Sequence, residues 1–170
     1  MTLDRLWAGW RIPYLNQVTD PEAQDDDASC VFCRLLSSGE ADEMTYVVWR
    51  DERFAAILNA YPYTSGHLLV MPVAHVADIE DVAPEDGGRL WAVVTDAARA
   101  LRAAYHPEGL NLGVNLDRAG GAGVPGHFHV HVLPRWVGDT NFMTTVAEAR
   151  VLPESLPDTY ARLRAGWPVT

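Results

Sequence analysis

Histidine and apolar residues alternate strictly in one short stretch late in the chain. Residues 127–132 read His-Phe-His-Val-His-Val. Because successive side chains of a β-strand point to opposite faces, this pattern predicts a strand with three imidazoles on one face and an apolar face behind them. Imidazole changes its protonation near neutral pH, so such a face suits nucleophilic attack, proton transfer or metal binding. The alternative is a solvated strand that carries histidines without a reactive role.

Length and composition favour a single domain. The chain has 170 residues, 48% of them hydrophobic and 21% charged, which excludes a disordered, collagenous or coiled-coil protein. We expect one domain over residues 1–170, with an N-terminal arm at 1–28 and a C-terminal extension at 145–170. The formal net charge of −10 argues against non-specific binding to nucleic acid or to an anionic membrane. All 13 basic residues are arginine, which excludes a lysine nucleophile.

No stretch of the sequence predicts a membrane span or a secretory signal. The apolar runs are far shorter than the roughly 18 residues that a membrane helix needs. The first twenty residues also lack a basic segment followed by an apolar one. We therefore predict a cytoplasmic protein. In that reducing compartment the Cys30 and Cys33 pair indicates metal binding or redox chemistry rather than a structural disulfide.

The order of elements predicts an α+β fold with a mainly antiparallel sheet of about five strands. The strands are expected at residues 45–49, 54–58, 67–71, 109–116 and 128–136. One long helix is expected over residues 84–105, with an apolar face that includes Leu90, Val94, Ala97 and Leu101. Peripheral helices are expected over 156–165 and from Ser29, which can act as the N-cap, to near Gly39. Strands and helices do not alternate regularly, which argues against a parallel sheet.

Several segments of the chain resemble the histidine triad (HIT) superfamily of nucleotide hydrolases and transferases. Residues 127–133 match its signature of alternating histidine and apolar residues. Further matching segments follow in family order: Cys-Val-Phe-Cys at 30–33, Leu-Asn at 58–59, Gly-His-Leu-Leu-Val-Met-Pro at 66–72 and Pro-Arg-Trp at 134–136. The segments at 6–11 and 138–142 are similar to a bacterial branch of diadenosine tetraphosphate phosphorylases. The resemblance implies a HIT-like fold.

This resemblance implies covalent chemistry at the α-phosphorus of a nucleotide. It makes His129 the nucleophile that forms a nucleotidyl-imidazole intermediate, and it makes His131 the group that faces the leaving oxygen. His127 completes the catalytic set. If inorganic phosphate releases the nucleotide from His129, the protein is a phosphorylase, and the similarity to the bacterial branch favours this outcome. If water releases it, the protein is a hydrolase. A catalytically weak nucleotide-binding protein is the alternative from a different class.

The resemblance also implies a site for an adenine-type nucleotide. It places Asn59 at the ribose hydroxyls and His67 near the phosphate. A glycine-rich loop at 120–126 can bring backbone N–H groups to phosphate oxygens. In this loop Gly123 stands where the family commonly has glutamine, so a side-chain contact is lost. The predicted substrate-binding residues are Asn59, His67, Asn115, Gly121, Gly123 and Trp136.

A structural zinc ion is also implied by the resemblance, with the ligands Cys30, Cys33, His75 and His127. Two thiolates and two imidazoles close a tetrahedral site and leave no position for water. The residues alone leave open a redox pair or two buried thiols. A single zinc on all three triad histidines is a further alternative, but alternate residues of a strand are about 7 Å apart.

The remaining expectations concern partners. No organic cofactor is expected, and inorganic phosphate is a co-substrate if the protein is a phosphorylase. Because two protomers of this family usually pair into a larger sheet, the resemblance also implies a homodimer.

Overall fold

The structure, a computed structural model, describes residues 29–140 and 152–168. Five strands form one antiparallel sheet in the order β1-β2-β3-β5-β4. They are β1 (Val47–Arg50), β2 (Phe54–Leu58), β3 (Leu68–Pro72), β4 (Gly109–Val114) and β5 (Val130–Arg135). The predicted α+β class and its five-stranded antiparallel sheet are confirmed. The predicted N-terminal arm and residues 145–151 of the predicted C-terminal extension lie outside the described residues.

Four α-helices accompany the sheet within the described ranges. They are α1 (Val31–Ser37), α2 (Asp42–Thr45), α3 (Gly87–Tyr105) and α4 (Leu156–Gly166). Two short 3₁₀ turns, Ile79–Asp81 and Pro84–Asp86, lead into α3. The long helix α3 has 19 residues, and its predicted apolar face is buried. None of the helices described is long and apolar enough to cross a membrane.

Each face of the sheet is covered by a different helix. On β2, the side chains of Phe54, Ala56 and Leu58 pack into the core formed with α3. The intervening residues Ala55 and Ile57 pack with Phe32 of α1 on the other face. The same alternation holds for the histidine stretch, since the apolar residues at 128, 130 and 132 belong to the α3 core. The three histidines are therefore directed away from α3.

Several element boundaries differ from the prediction by one to three residues, and for three of them the structure shows a local reason. Helix α1 is capped at Cys30 without a side-chain hydrogen bond, so the predicted cap at Ser29 is wrong. Strand β1 starts after Tyr46, whose left-handed backbone (φ 55°) ends α2. The predicted last strand starts at residue 130 because the N–H of Phe128 donates to the carbonyl of Val76, outside the sheet.

The C-terminal helix α4 is anchored in the main core. It packs against α3 and β1, and its Leu163 is fully buried. Trp167, which follows the helix, stacks on Trp49 with ring centroids 5.8 Å apart. The Tyr105 hydroxyl at the end of α3 donates to the Glu154 carboxylate ahead of α4, and burial together with this carboxylate raises the pKa of Tyr105. The last helix is thus part of the same folded unit as the sheet.

Gly66 occupies a position where the backbone requires glycine. Its φ is +84°, and a Cβ there would lie 2.9 Å from Cε2 of Tyr105 and 3.0 Å from Cδ2 of Leu101. We expect Gly66→Ala to lower the free energy of unfolding by about 3 kcal/mol, because left-handed strain adds to crowding. Gly138→Ala is the matched control, since Gly138 has φ +78° but open space around it. Gly138→Ala should lower the free energy of unfolding by only about 1 kcal/mol.

Equilibrium unfolding in urea would measure both variants. Equal losses of stability at the two glycines would contradict the contribution from crowding.

Candidate active site and metal centre

His129 lies just before β5 on the face covered by α1, with 4% of its surface exposed. Its Nδ1 is 2.7 Å from the backbone carbonyl oxygen of His127. A carbonyl oxygen can only accept, so Nδ1 carries the proton and Nε2 keeps its lone pair. Burial lowers the pKa of His129, although the bond to the carbonyl opposes this shift. A neutral imidazole with a lone pair at Nε2 has the form that a nucleophile needs.

His131 is hydrogen-bonded to a second buried histidine. Its Nδ1 lies 2.9 Å from Nε2 of His67, and its Nε2 lies 3.4 Å from the side-chain amide of Asn115. Burial, and to a smaller extent the charge of a protonated His129, lower the pKa of His131 to about 4. The rings of His129 and His131 are 5.0 Å apart. At neutral pH the pair therefore consists of two adjacent uncharged imidazoles.

Cys30, Cys33, His75 and His127 converge, as the resemblance implied. One ligand atom from each lies within 4.8 Å of the others. The Sγ–Nδ1 distances are 3.4 Å for Cys30 with His127, 3.5 Å for Cys33 with His127 and 3.2 Å for Cys33 with His75. A tetrahedral zinc ion with bonds of about 2.3 Å to sulfur and about 2.0 Å to nitrogen separates these atoms by about 3.5 Å. The four residues fit a tetrahedral metal ion.

A backbone contact orients the ring of His127 for this role. Its Nε2 lies 2.9 Å from the carbonyl oxygen of Pro72, so Nε2 is the donor. The lone pair of the neutral ring is then at Nδ1, the atom that faces both cysteines. A hydrogen bond of this kind is the usual partner of a metal-bound histidine. His127 is completely buried, and it reaches the reactive centre through its backbone carbonyl, which holds His129.

The alternative of one metal ion shared by the three triad histidines does not fit this geometry. The Nδ1 atoms of His127, His129 and His131 face the cysteines, a carbonyl oxygen and His67, respectively. The three rings therefore serve different partners. The candidate metal cluster and the pair of His129 and His131 are separate and adjacent.

Two aromatic residues that no sequence pattern had indicated lie against these histidines. Phe32, located between the two cysteines, contacts His127 and His129 edge-on, with ring centroids 5.5 and 5.3 Å apart. Tyr63 stacks on His131 at 5.9 Å and lies 4.6 Å from His67. The location of Phe32 inside the Cys-x-x-Cys segment could have indicated its contact with His127. The turn that contains Tyr63 carries no comparable signal.

The structure brings only some of the predicted substrate-binding residues to the histidines. Asn59 and Asn115 are hydrogen-bonded to His67 and His131, respectively. Gly121 has φ +88°, and its N–H donates to a carbonyl within its own loop.

Gly123 lies half-buried in the same loop, one residue after the buried Ala122. Trp136 instead packs against Tyr105 at the end of α3, with ring centroids 6.3 Å apart. The structure therefore places Trp136 on the α3 side of the sheet rather than beside His129.

Comparisons with known proteins agree with this site. Residues 40–137 match the HIT domain family. The AP-4-A phosphorylase of Mycobacterium tuberculosis is 36% identical over 167 residues, which cover 97% of this chain and 85% of that protein. The Bacillus subtilis protein named "Protein hit" is 32% identical over 109 residues, which cover 64% of this chain and 72% of that protein.

Solved structures with the same fold are also found. A Zn-bound histidine triad family protein from Mycobacterium smegmatis superposes with a TM-score of 0.67 at 34% identity, covering 83% of this chain and 94% of that chain. A Hit-like protein from Bartonella henselae has a TM-score of 0.68 at 22% identity, covering 84% and 99%, and shows the fold alone. The matched residues include His129, His131 and both histidines of the candidate metal cluster, His75 and His127. The chain belongs to the HIT domain family, a family of nucleotide-processing proteins.

Proposed function

We propose that this protein cleaves dinucleoside polyphosphates of the diadenosine tetraphosphate type, with His129 as the nucleophile at the α-phosphorus. The observation that carries the proposal is the hydrogen bond from Nδ1 of His129 to the His127 carbonyl, which leaves the lone pair at Nε2. The lowered pKa of His129 keeps that lone pair available at neutral pH. The 36% identity to an AP-4-A phosphorylase over nearly the whole chain supports the substrate class.

In the proposed first step, Nε2 of His129 forms a P–N bond to the α-phosphorus. The bond from phosphorus to the leaving polyphosphate oxygen breaks, and that oxygen takes the electron pair. His131 donates a hydrogen bond to it as the charge develops. The nucleotidyl-imidazolium that remains is stabilised by its Nδ1–H bond to the His127 carbonyl.

In the proposed second step, an oxygen of inorganic phosphate attacks the same phosphorus. The P–N bond breaks and its electron pair returns to Nε2 of His129. From diadenosine tetraphosphate the two steps give ATP and then ADP. Gly123 supports this acceptor, because a residue without a side chain leaves room for a second phosphate beside the intermediate. Asn115, Gly121 and Gly123 are the proposed contacts to the nucleotide, and Asn59 is the proposed contact to its ribose.

We further propose that zinc is the metal held by Cys30, Cys33, His75 and His127. The donor set of two thiolates and two imidazoles is one that zinc prefers, and the Mycobacterium smegmatis relative is a Zn-bound protein. Bound there, the ion would link α1 to the segment that precedes β5. It has a structural role, since four protein ligands leave no place for water or substrate.

Two finer proposals concern assembly and location. Among the described strands β4 is paired on one side only, with β5, and its Leu112 is 49% exposed. An open edge of this kind can pair with a second copy of the chain, which supports a homodimer. Cys30 and Cys33 face the imidazoles of His127 and His75 as candidate metal ligands, and thiolate ligands of this kind are typical of a reducing compartment, so we propose a cytoplasmic location.

The acceptor is tested by supplying diadenosine tetraphosphate with radiolabelled inorganic phosphate and resolving the products. We expect ATP plus ADP, with the label in the β-position of ADP. Sulfate at equal ionic strength replaces phosphate in the control, and turnover should then fall at least about 10-fold, because the intermediate has no acceptor other than water.

ATP plus AMP at the same rate in both reactions would show that the protein is a hydrolase. Nucleotide binding without any turnover would contradict an enzymatic role altogether.

A further inference from the structure

The side chain of His67 is almost completely buried. Only 1% of its surface is exposed, and its ring lies against the rings of Tyr63 and His131. Its Nδ1 lies 3.2 Å from the backbone nitrogen of Tyr63 and 3.3 Å from Nδ2 of Asn59. Its Nε2 lies 2.9 Å from Nδ1 of His131. The hydrogen-bonding atoms of His67 are therefore directed at protein groups.

Two donors determine which nitrogen of His67 carries the proton. A backbone N–H can only donate, so Nδ1 of His67 accepts from Tyr63. The Asn59 amide donates to the same atom, and its orientation is set because its Oδ1 accepts the N–H of Tyr61 at 2.9 Å. A neutral His67 with a lone pair at Nδ1 has its proton at Nε2.

The tautomer of His67 then determines that of His131. The Nε2–H of His67 points at Nδ1 of His131, which must accept it and cannot also carry a proton. A neutral His131 consequently has its proton at Nε2. Rotating the Asn115 amide by half a turn brings its oxygen to the position 3.4 Å from this Nε2, where it accepts the N–H before substrate arrives.

We propose that His67 is a positioning residue that, together with Asn59 and Tyr63, holds His131 in the form protonated at Nε2. This inference rests on the proposed function, because it assigns the N–H group that donates a hydrogen bond to the leaving group. The two reactive histidines then have opposite tautomers. His129 is protonated at Nδ1 and attacks through Nε2, whereas His131 is protonated at Nε2 and donates. Their hydrogen-bond partners, and not their sequence positions, separate the two roles.

The first test measures the tautomer directly. Two-bond ¹H–¹⁵N correlation spectra of the ¹⁵N-labelled full chain distinguish protonated from unprotonated ring nitrogens. We expect His131 to be protonated at Nε2 in the wild-type protein and to become a mixture of tautomers in His67→Leu, which removes the donor. A wild-type His131 protonated at Nδ1 would overturn the proposal. This measurement needs no turnover, so it decides the proposal even if the proposed function fails or His67→Leu does not fold.

The second test compares two substrates with different leaving groups. The p-nitrophenyl ester of AMP loses a stable anion, whereas adenosine 5′-phosphoramidate loses a strongly basic nitrogen, which depends more on the hydrogen bond from His131. We expect His67→Leu to lower kcat about 100-fold on the phosphoramidate and less than about 5-fold on the ester, as loss of a hydrogen bond to the developing charge predicts. His67→Gln keeps an N–H close to the position of Nε2 and should restore most of the activity.

The same data distinguish positioning from substrate binding. KM should change by less than about 2-fold in both variants, because a positioning residue makes no contact with the bound substrate. A rise in KM, or equal losses on the two substrates, would overturn the proposal and return His67 to the phosphate site. If the wild-type protein turns over neither these compounds nor diadenosine tetraphosphate, the proposed function fails, and the tautomer of His131 still decides the role of His67.

Discussion

Replacement of His129 by glycine is expected to abolish turnover of diadenosine tetraphosphate while the protein still binds nucleotide. The change deletes the nucleophile without filling the pocket. Loss of the nucleophile of a covalent mechanism lowers kcat by about 10⁴-fold or more. Steady-state kinetics would measure kcat, and calorimetry would measure the dissociation constant of ADP, which should change by less than about 3-fold because the contacts to base and ribose remain.

His106→Gly is the matched control for this experiment. His106 is exposed at the end of α3 with φ +46°, a conformation that glycine adopts easily, so the variant should fold and retain full activity. Intact-mass spectrometry after an acid quench adds a second readout, since wild-type protein should carry one added nucleotidyl group and His129→Gly none. Near-normal turnover in His129→Gly would remove His129 from the nucleophilic role.

Loss of the metal site is expected to have the second largest effect. We predict one zinc ion per chain in protein purified without chelator and none in Cys30→Ser. Structural zinc contributes on the order of 10 kcal/mol of binding free energy to folding, so Cys30→Ser should lower the free energy of unfolding by at least about 3 kcal/mol. Elemental analysis and thermal unfolding would measure the two effects, and a strong chelator should bring the wild-type protein towards the midpoint of the variant.

A pair of histidine variants controls for non-specific destabilisation. His75→Ala removes a ligand of the cluster, whereas His106→Ala removes an exposed ring far from it in sequence. Only His75→Ala should lose zinc. Absence of zinc from the wild-type protein, or a chelator that leaves its unfolding midpoint unchanged, would contradict the metal assignment.

The sequence could predict those parts of the fold in which buried apolar residues recur at the regular spacing of a helix or a strand. Helix α3 shows this, because its predicted inward-facing residues, Leu101 among them, are buried against the sheet. Strand β5 shows it too, since Val130 and Val132 lie in the core behind the histidines. The spacing of apolar residues along one element does not encode contacts between segments that are distant in sequence. The hydrogen bond from Phe128 to the carbonyl of Val76, which delays the start of β5, has no local signature.

For the site, local rules and resemblance were each informative in different places. The Cys-x-x-Cys spacing identified only half of the metal cluster, and the family resemblance supplied His75 and His127. For Trp136 the resemblance suggested substrate contact, yet strand alternation places residue 136 on the face opposite His129, as the structure does. Tyr63 contacts His67 and His131 from a turn, where side chains follow no regular spacing from which contacts could be predicted.

The place of β5 in the sheet has a consequence for how the protein acquires reactivity during folding. It is the last of the described strands in sequence, yet it inserts between β3 and β4. Its histidines meet partners far away in sequence: 64 residues separate His131 from His67, and 97 separate His127 from Cys30. Closing such long loops is entropically costly and makes these contacts slow to form. A nascent chain that has not yet released β5 from the ribosome therefore lacks the proposed nucleophile, the proposed hydrogen-bond donor and part of the candidate metal cluster, so the complete histidine face arises in the same late step that completes the sheet.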